Sequence, residues 1–222
     1  MKKENVLVFG ASDHCRYTID ILERDERFQI IGILDDKLRN GQDYGGYEVL
    51  GKIIDLPEII IKYSVSKGII AIGDNFTRFT ISEKIKKLTT QFEFISGIHP
   101  SATVGKNVKI GCGSLIMAGV IVNNDTVIGE HCFLATKASI DHDCVMADYS
   151  SLSPGVTTGG NVKIGYCTAI GLGANILHGK NIGKHSVVGA GSLVVKDIGN
   201  NFIAYGTPAR EIRNRDEGDK YL

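Results

Sequence analysis

Tryptophan is absent from this 222-residue chain, and proline occurs only four times. No apolar run approaches the ~18–20 residues of a membrane-spanning helix. The opening M-K-K-E-N-V-L-V-F-G lacks the layout of a secretory leader. These absences point to a cytoplasmic protein with no membrane partner. An excess of one charge is missing too: 25 Lys and Arg balance 25 Asp and Glu. No global field therefore draws the molecule to nucleic acid or an anionic surface. The five cysteines (Cys15, Cys112, Cys132, Cys144, Cys167) are odd in number and never form C-x-x-C. That argues against a disulfide framework or a structural zinc site, and no metal is expected.

What is present in excess is glycine, 27 residues without a collagen period. Many tight turns imply a repeat. Stepping in sixes from Ile98 gives Ile98, Val104, Ile110, Ile116, Val122, Ile128, Leu134, Ile140, Met146, Leu152, Thr158, Ile164, Ile170, Ile176, Ile182, Val188 and Val194. Sixteen of these seventeen are Ile, Val, Leu or Met, types that fill only 62 of 222 positions overall. Two residues before nearly every aliphatic stands a small or β-branched residue, as at Ser114, Thr126, Cys132, Ala138 and Cys144. Alternation of period two inside a period of six describes short strands joined by corners, each turning two side chains inward. A helix of 3.6 residues per turn cannot keep steps of six on one face.

The pattern resembles the hexapeptide-repeat proteins, whose fold is a left-handed parallel β-helix of triangular section. That resemblance implies three hexapeptides per coil, so residues 18 apart stack, roughly 4.8 Å from coil to coil. In this register Cys132 and Cys144 are small core residues. His142, within S-I-D-H-D-C-V, falls on an outward corner, with Gly160 one coil on and His178 two coils on. A glycine beside the histidine leaves room for a ligand, and its N–H can meet a developing oxyanion. A carboxylate from Asp141 or Asp143 would fix the imidazole tautomer and raise its basicity, making a base for attack on a thioester. Read alone, D-H-D is equally a solvated corner, and His131, His178 and His185 also occupy turns.

Residues 1–97 lack the period of six. Val6 to Phe9 reads as a buried strand ending at Gly10, with Ser12 as helix N-cap and Tyr17, Ile21 and Leu22 as the apolar face of that helix. Phe28 to Leu34 and Gly68 to Ile72 read as further strands, followed by Asp35-Asp36 and by Gly73-Asp74-Asn75. Strands alternating with helices predict a small Rossmann-like parallel α/β domain that binds ligands at its strand ends. The loop G-A-S-D-H-C is not G-x-G-x-x-G, which argues against a full dinucleotide site. The β-helix is assigned to 98–197 and a C-terminal tail to 198–222, with D-E-G-D-K-Y-L expected to be mobile.

A closer resemblance lies in A-S-I-D-H-D-C-V-M-A-D-Y-S-S-L-S-P-G-V-T-T-G-G-N-V-K-I-G and in the end V-V-G-A-G-S-L-V-V-K-D-I…Y-G-T-P-A-R. Both are similar to the nucleotide-sugar acetyltransferases related to PglD and to the NeuD-type sugar O-acyltransferases. The resemblance implies an acetyl-CoA-dependent N-acetyltransferase acting on a nucleotide-linked amino sugar, of the 4-amino-4,6-dideoxy type, in bacterial surface-glycan synthesis. It makes His142 the general base and Asp143 the group that strengthens it. It sets acetyl-CoA in a groove between prisms of a homotrimer, near Gly160, Leu172 and Gly173. Ser151 stands where relatives commonly carry a second histidine that contacts the acetyl group, and Ala135 where they have asparagine near the substrate amine. The loops carrying Ser12, Asp13, His14, Asp35, Asp36 and Gly73 match the family's nucleotide-sugar site. Three alternatives stay open. One is O-acetylation, as in the sialic-acid relatives. A second is a metalloenzyme similar to the γ-class carbonic anhydrases, since His142 and His178 are 36 apart, although the third ligand would fall on Gly183. The third is a scaffold without catalysis.

Overall fold

In a computed structural model, residues 3–221 are described. Met1 and Lys2 of the first assigned region, and Leu222 of the last, lie outside them. The N-terminal sheet is built from β1 (Glu4–Phe9), β2 (Phe28–Leu34), β3 (Asp43–Tyr44), β4 (Tyr47–Gly51), β5 (Lys67–Ile70) and β6 (Glu93–Phe94). Their order is β3-β4-β2-β1-β5-β6, parallel except for the β3–β4 hairpin. β1 is wholly apolar at Val6 to Phe9 because helices cover both faces of the sheet. Those helices are α1 (Asp13–Arg24), α2 (Leu56–Tyr63) and α3 (Asn75–Leu88). The expected third strand stops two residues early, and α1 buries Cys15, Thr18, Ile19, Ile21 and Leu22 while Tyr17 stays 47% exposed.

From β7 (Gly97–Ile98) to β23 (Leu193–Val194) the chain forms two-residue strands, each paired in parallel with the strand 18 residues away, as in Leu115↔Phe133 and Val127↔Val145. They stack into the three faces of a left-handed parallel β-helix. The first face carries Phe133, Ser151 and Ala169; the second Ile121 and Ser139; the third Val127, Val145 and Lys163. The inward column from Ile116 to Val194 is buried, each large side chain contributing roughly 1.5–3 kcal/mol before entropy. The first coil differs: Val104 is 41% exposed, because its strand is an edge with nothing stacked beneath it. At the other end β24 (Phe202–Gly206) and β25 (Ala209–Asn214) extend the first face as an antiparallel hairpin. The expected mobile tail is instead packed: the Tyr221 hydroxyl accepts the Asn75 N–H at 3.0 Å, and the side chains of Glu217 and His185 meet at 3.4 Å.

The N-terminal layer sits on the first face and on the edge between the third and first faces. Arg78, 2% exposed, ties the two together. Its guanidinium donates to the carbonyls of Ile72, Gly73, His131 and Tyr149 and to Asn75 Oδ1. Beside it the His131 ring stacks parallel to Tyr149 at 5.0 Å and meets the edge of Phe94 at 4.5 Å.

Candidate active site

Each corner of the β-helix needs one residue in the left-handed backbone region, and at 143 that residue is aspartate, φ +57°. The turn brings the Asp143 carboxylate back onto its neighbour: Oδ2 lies 2.8 Å from His142 Nδ1. A carboxylate only accepts, so Nδ1 carries the proton and Nε2 presents a lone pair. The hydrogen bond to Asp143 raises the His142 pKa above its ordinary value, and the charge of Asp141 adds to this. Asp141 has a separate task. Its Oδ1 accepts the His142 N–H at 2.9 Å and the Asn123 amide at 2.8 Å, while its own N–H reaches Thr158 Oγ1 at 3.2 Å. Thr158, the one polar residue in the inward column, therefore braces the corner.

Gly160 lies one coil on, and here the structure corrects the sequence reading. The space its missing side chain leaves is taken by the His142 ring itself, since a Cβ at 160 would stand 2.6 Å from Nε2 and Cε1. The glycine admits the imidazole rather than a ligand. The Gly160 N–H has no hydrogen-bond acceptor among the described residues. His178 follows, with ring centroids 6.3 Å from His142. The four corner histidines thus divide. His142 and His178 share the exposed edge between the second and third faces, whereas His131 and His185 are buried on the edge between the third and first faces. Among the described residues no three His, Cys, Asp or Glu side chains gather as a metal site.

Other sequence candidates lie elsewhere in one chain. Leu172, 57% exposed, and Gly173, φ +63°, form the edge between the first and second faces. Ser151 is buried on the first face beside the Tyr221 hydroxyl.

The N-terminal candidates also separate. A cleft of about 330 Å³ opens at the carboxyl ends of β1 and β2, lined by Gly10, Ala11, Ser12, Asp35, Asp36, Lys37, Leu38, Ile53, Ile72, Thr77 and Ile81. A shallower trough of about 440 Å³ carries Lys37, Arg39 and Lys52 next to it. Ser12 holds the N-cap position of α1, yet its hydroxyl donates to the Ala71 carbonyl at 3.1 Å instead of capping the helix. Asp35 is committed to the backbone, accepting N–H groups of Ala11, Lys37 and Leu38 at 2.8–2.9 Å. It shapes the loop, which departs from its expected role as a direct ligand. Asp36 has one oxygen on the Ile53 N–H, while the other meets Lys84 Nζ at 2.8 Å. Burial pushes the Asp36 pKa up, but Lys84 and the Ile53 N–H outweigh it and the net shift is downward. Asp13 is exposed at the start of α1, outside the cleft. His14 and Gly73 are likewise absent from its lining; a side chain at 73 would overlap the His14 ring. His14 instead faces Phe133 at 4.7 Å and lines a second, mostly apolar cleft of about 200 Å³ with Tyr17, Met117, Ala135, Thr136 and Pro154. Burial, then the charge of Arg78, lowers the His14 pKa against the opposing pull of Asp13.

Residues 5–85 match the PglD N-terminal domain, and residues 101–136 match the bacterial transferase hexapeptide repeat. GDP-perosamine N-acetyltransferase of Escherichia coli O157:H7 is 30% identical over 217 residues, 93% of this chain and 95% of that protein. The chain belongs to this family of PglD-type hexapeptide-repeat sugar acetyltransferases. Solved members superpose closely. A histidine-to-asparagine mutant of perosamine N-acetyltransferase from Caulobacter crescentus, in complex with CoA and GDP-perosamine, gives a TM-score of 0.87 at 31% identity, covering 95% of this chain and 97% of that one. The acetyltransferase domain of PglB from Neisseria gonorrhoeae FA1090, in complex with acetyl coenzyme A, also gives 0.87, at 29% identity over 95% of this chain and 100% of that one. Arg78, Lys84 and the Asn123–Asp141–Thr158 brace went unread in the sequence. Their partners are 17 to 71 residues away, and no local spacing marks them.

Proposed function

We propose that this chain is an acetyl-CoA-dependent N-acetyltransferase acting on a nucleotide-linked amino sugar. One observation carries the reading: an exposed imidazole, its Nδ1 held by a carboxylate at 2.8 Å, lying over a glycine with no side chain to displace it. His142 Nε2 takes the proton of the sugar amine as the nitrogen attacks the thioester carbonyl, and Asp143 stabilises the imidazolium that forms. The Gly160 N–H is the donor offered to the oxyanion. Attack is direct, with both substrates bound, so proximity replaces a covalent enzyme intermediate. Relatives support this: the Escherichia coli one is a GDP-perosamine N-acetyltransferase, and the Caulobacter crescentus one is solved with CoA and GDP-perosamine in histidine-to-asparagine and histidine-to-alanine forms.

The nucleotide belongs in the cleft beside Ser12 and Asp36, with its phosphates toward Lys37, Arg39 and Lys52. Leu172 and Gly173 stay assigned to acetyl-CoA on a neighbouring prism, whereas Ser151, buried beside the Tyr221 hydroxyl, is withdrawn from that role. The reading extends to a homotrimer in the cytoplasm, modifying a 4-amino-4,6-dideoxy sugar for surface glycan. Among the described residues no helix is long and apolar enough to cross a membrane. The test is thiol release from acetyl-CoA with GDP-, UDP- and dTDP-linked amino sugars, each beside its hydroxyl analogue. Release confined to amines supports the proposal; release with hydroxyl analogues alone replaces it with O-transfer, and none with any sugar rejects it.

A further inference from the structure

His178 has no part in that mechanism, yet its placement is specific. It stands two coils beyond His142 on the same exposed edge. With no side chain at Gly160 between them, the two rings approach to 6.3 Å between centroids, their planes inclined by 51°. Asp141 lies close enough to feel the charge of both imidazoles. The separation is wider than one direct hydrogen bond and suits one water, or the reacting atoms themselves. His142 is tethered through Nδ1, so its free nitrogen lies over Gly160, in the interval that separates it from His178.

We propose that His178 is a second catalytic imidazole of the transfer, the one that protonates the departing thiolate. This rests on the function proposed above. In the tetrahedral intermediate the attacking nitrogen and the leaving sulfur are substituents of one carbon, so two rings on one edge can each address one of them. The amine nitrogen forms its bond to the acyl carbon and yields a proton to His142 Nε2. The carbon–sulfur bond breaks with its electron pair going to sulfur. The His142 imidazolium passes its proton through one water to the His178 ring, and the His178 imidazolium so formed delivers it to that sulfur. Amide and free thiol leave, and both rings end neutral.

The test uses His178→Ala and His178→Gln, both at an exposed position, with two donors: acetyl-CoA and the acetyl thioester of an acidic nitrothiophenol. The second thiolate leaves without a proton. With acetyl-CoA, kcat should fall about 10–100-fold while both KM values stay within about threefold. With the aromatic thioester the variants should keep about the wild-type rate. An unchanged acetyl-CoA rate, or an equal loss with both donors, would overturn the proposal. His142→Ala separates the two readings. If it is inactive with both donors while the His178 variants behave as wild type, only the role of His178 falls. If it stays active with both, the underlying mechanism fails.

Discussion

At the scale of single residues, the site depends on one short tether. Asp143 reaches His142 because the corner forces residue 143 into the left-handed region. A base accepts protons only when neutral, so a raised pKa sets the acidic limb of kcat/KM above the ordinary histidine value of 6.5. Asp143→Asn should move that limb to lower pH and reduce the plateau; a pH–rate profile unchanged by the substitution would remove Asp143 from the mechanism. His142→Ala should cost about 10²–10⁴-fold in kcat, measured by thiol release. Gly160→Ala offers a steric test. Residue 160 is outside the left-handed region, so the added methyl strains no backbone, yet it must displace an imidazole 2.6 Å away. Activity should collapse while the melting temperature changes little, and wild-type activity would show that the ring is free to sit elsewhere. Register places His142, Asp143 and Gly160 together at one corner of the sequence pattern, but it puts His131, His178 and His185 on turns as well, and only the family resemblance singled out His142. The sequence could not tell which of Asp35 and Asp36 turns toward the backbone, since both follow the same strand and only the closed loop decides.

At the scale of elements, the period of six is legible because every coil repeats the same packing, and strand pairing 18 apart follows from it. The C-terminal hairpin is not legible, because it leaves that period and pairs antiparallel. Nor is the seam between the layers, where Arg78 and His131 depend on contacts across the fold. That seam carries a pH consequence. Burial, then the charges of Arg78 and Lys86, pushes the His131 pKa down to about 3 from its ordinary 6.5. Below pH 6.5 the unfolded chain binds a proton that the folded chain refuses. The contribution is therefore complete above that pH and is lost as pH falls toward 3. His131→Phe retains the stack on Tyr149 without a titrating group. Between pH 6.5 and 4 its urea midpoint should fall less steeply than that of wild type; parallel slopes would show that His131 does not set the acid sensitivity.

At the scale of the whole molecule, the pieces of the site do not meet within one chain. His142 lies on the edge between the second and third faces, whereas the N-terminal layer with its cleft packs on the first face and the edge beyond it. Leu172 and Gly173 lie on the remaining edge. The homotrimer proposed above would resolve this, since a closed ring of identical chains would set one chain's His142 edge against a neighbour's cleft and remaining edge. The consequence is intersubunit complementation. His142→Ala removes the base, and Ala11→Trp fills the nucleotide cleft, so each variant alone should be inactive. Refolded together in equal amounts, the two chains assemble at random. A site then needs an intact His142 from one chain and an intact cleft from the next, each with a chance of one half. About a quarter of wild-type activity should return. If each chain held a complete site, every chain in the mixture would carry one fatal change and no activity would reappear, however well the oligomers formed.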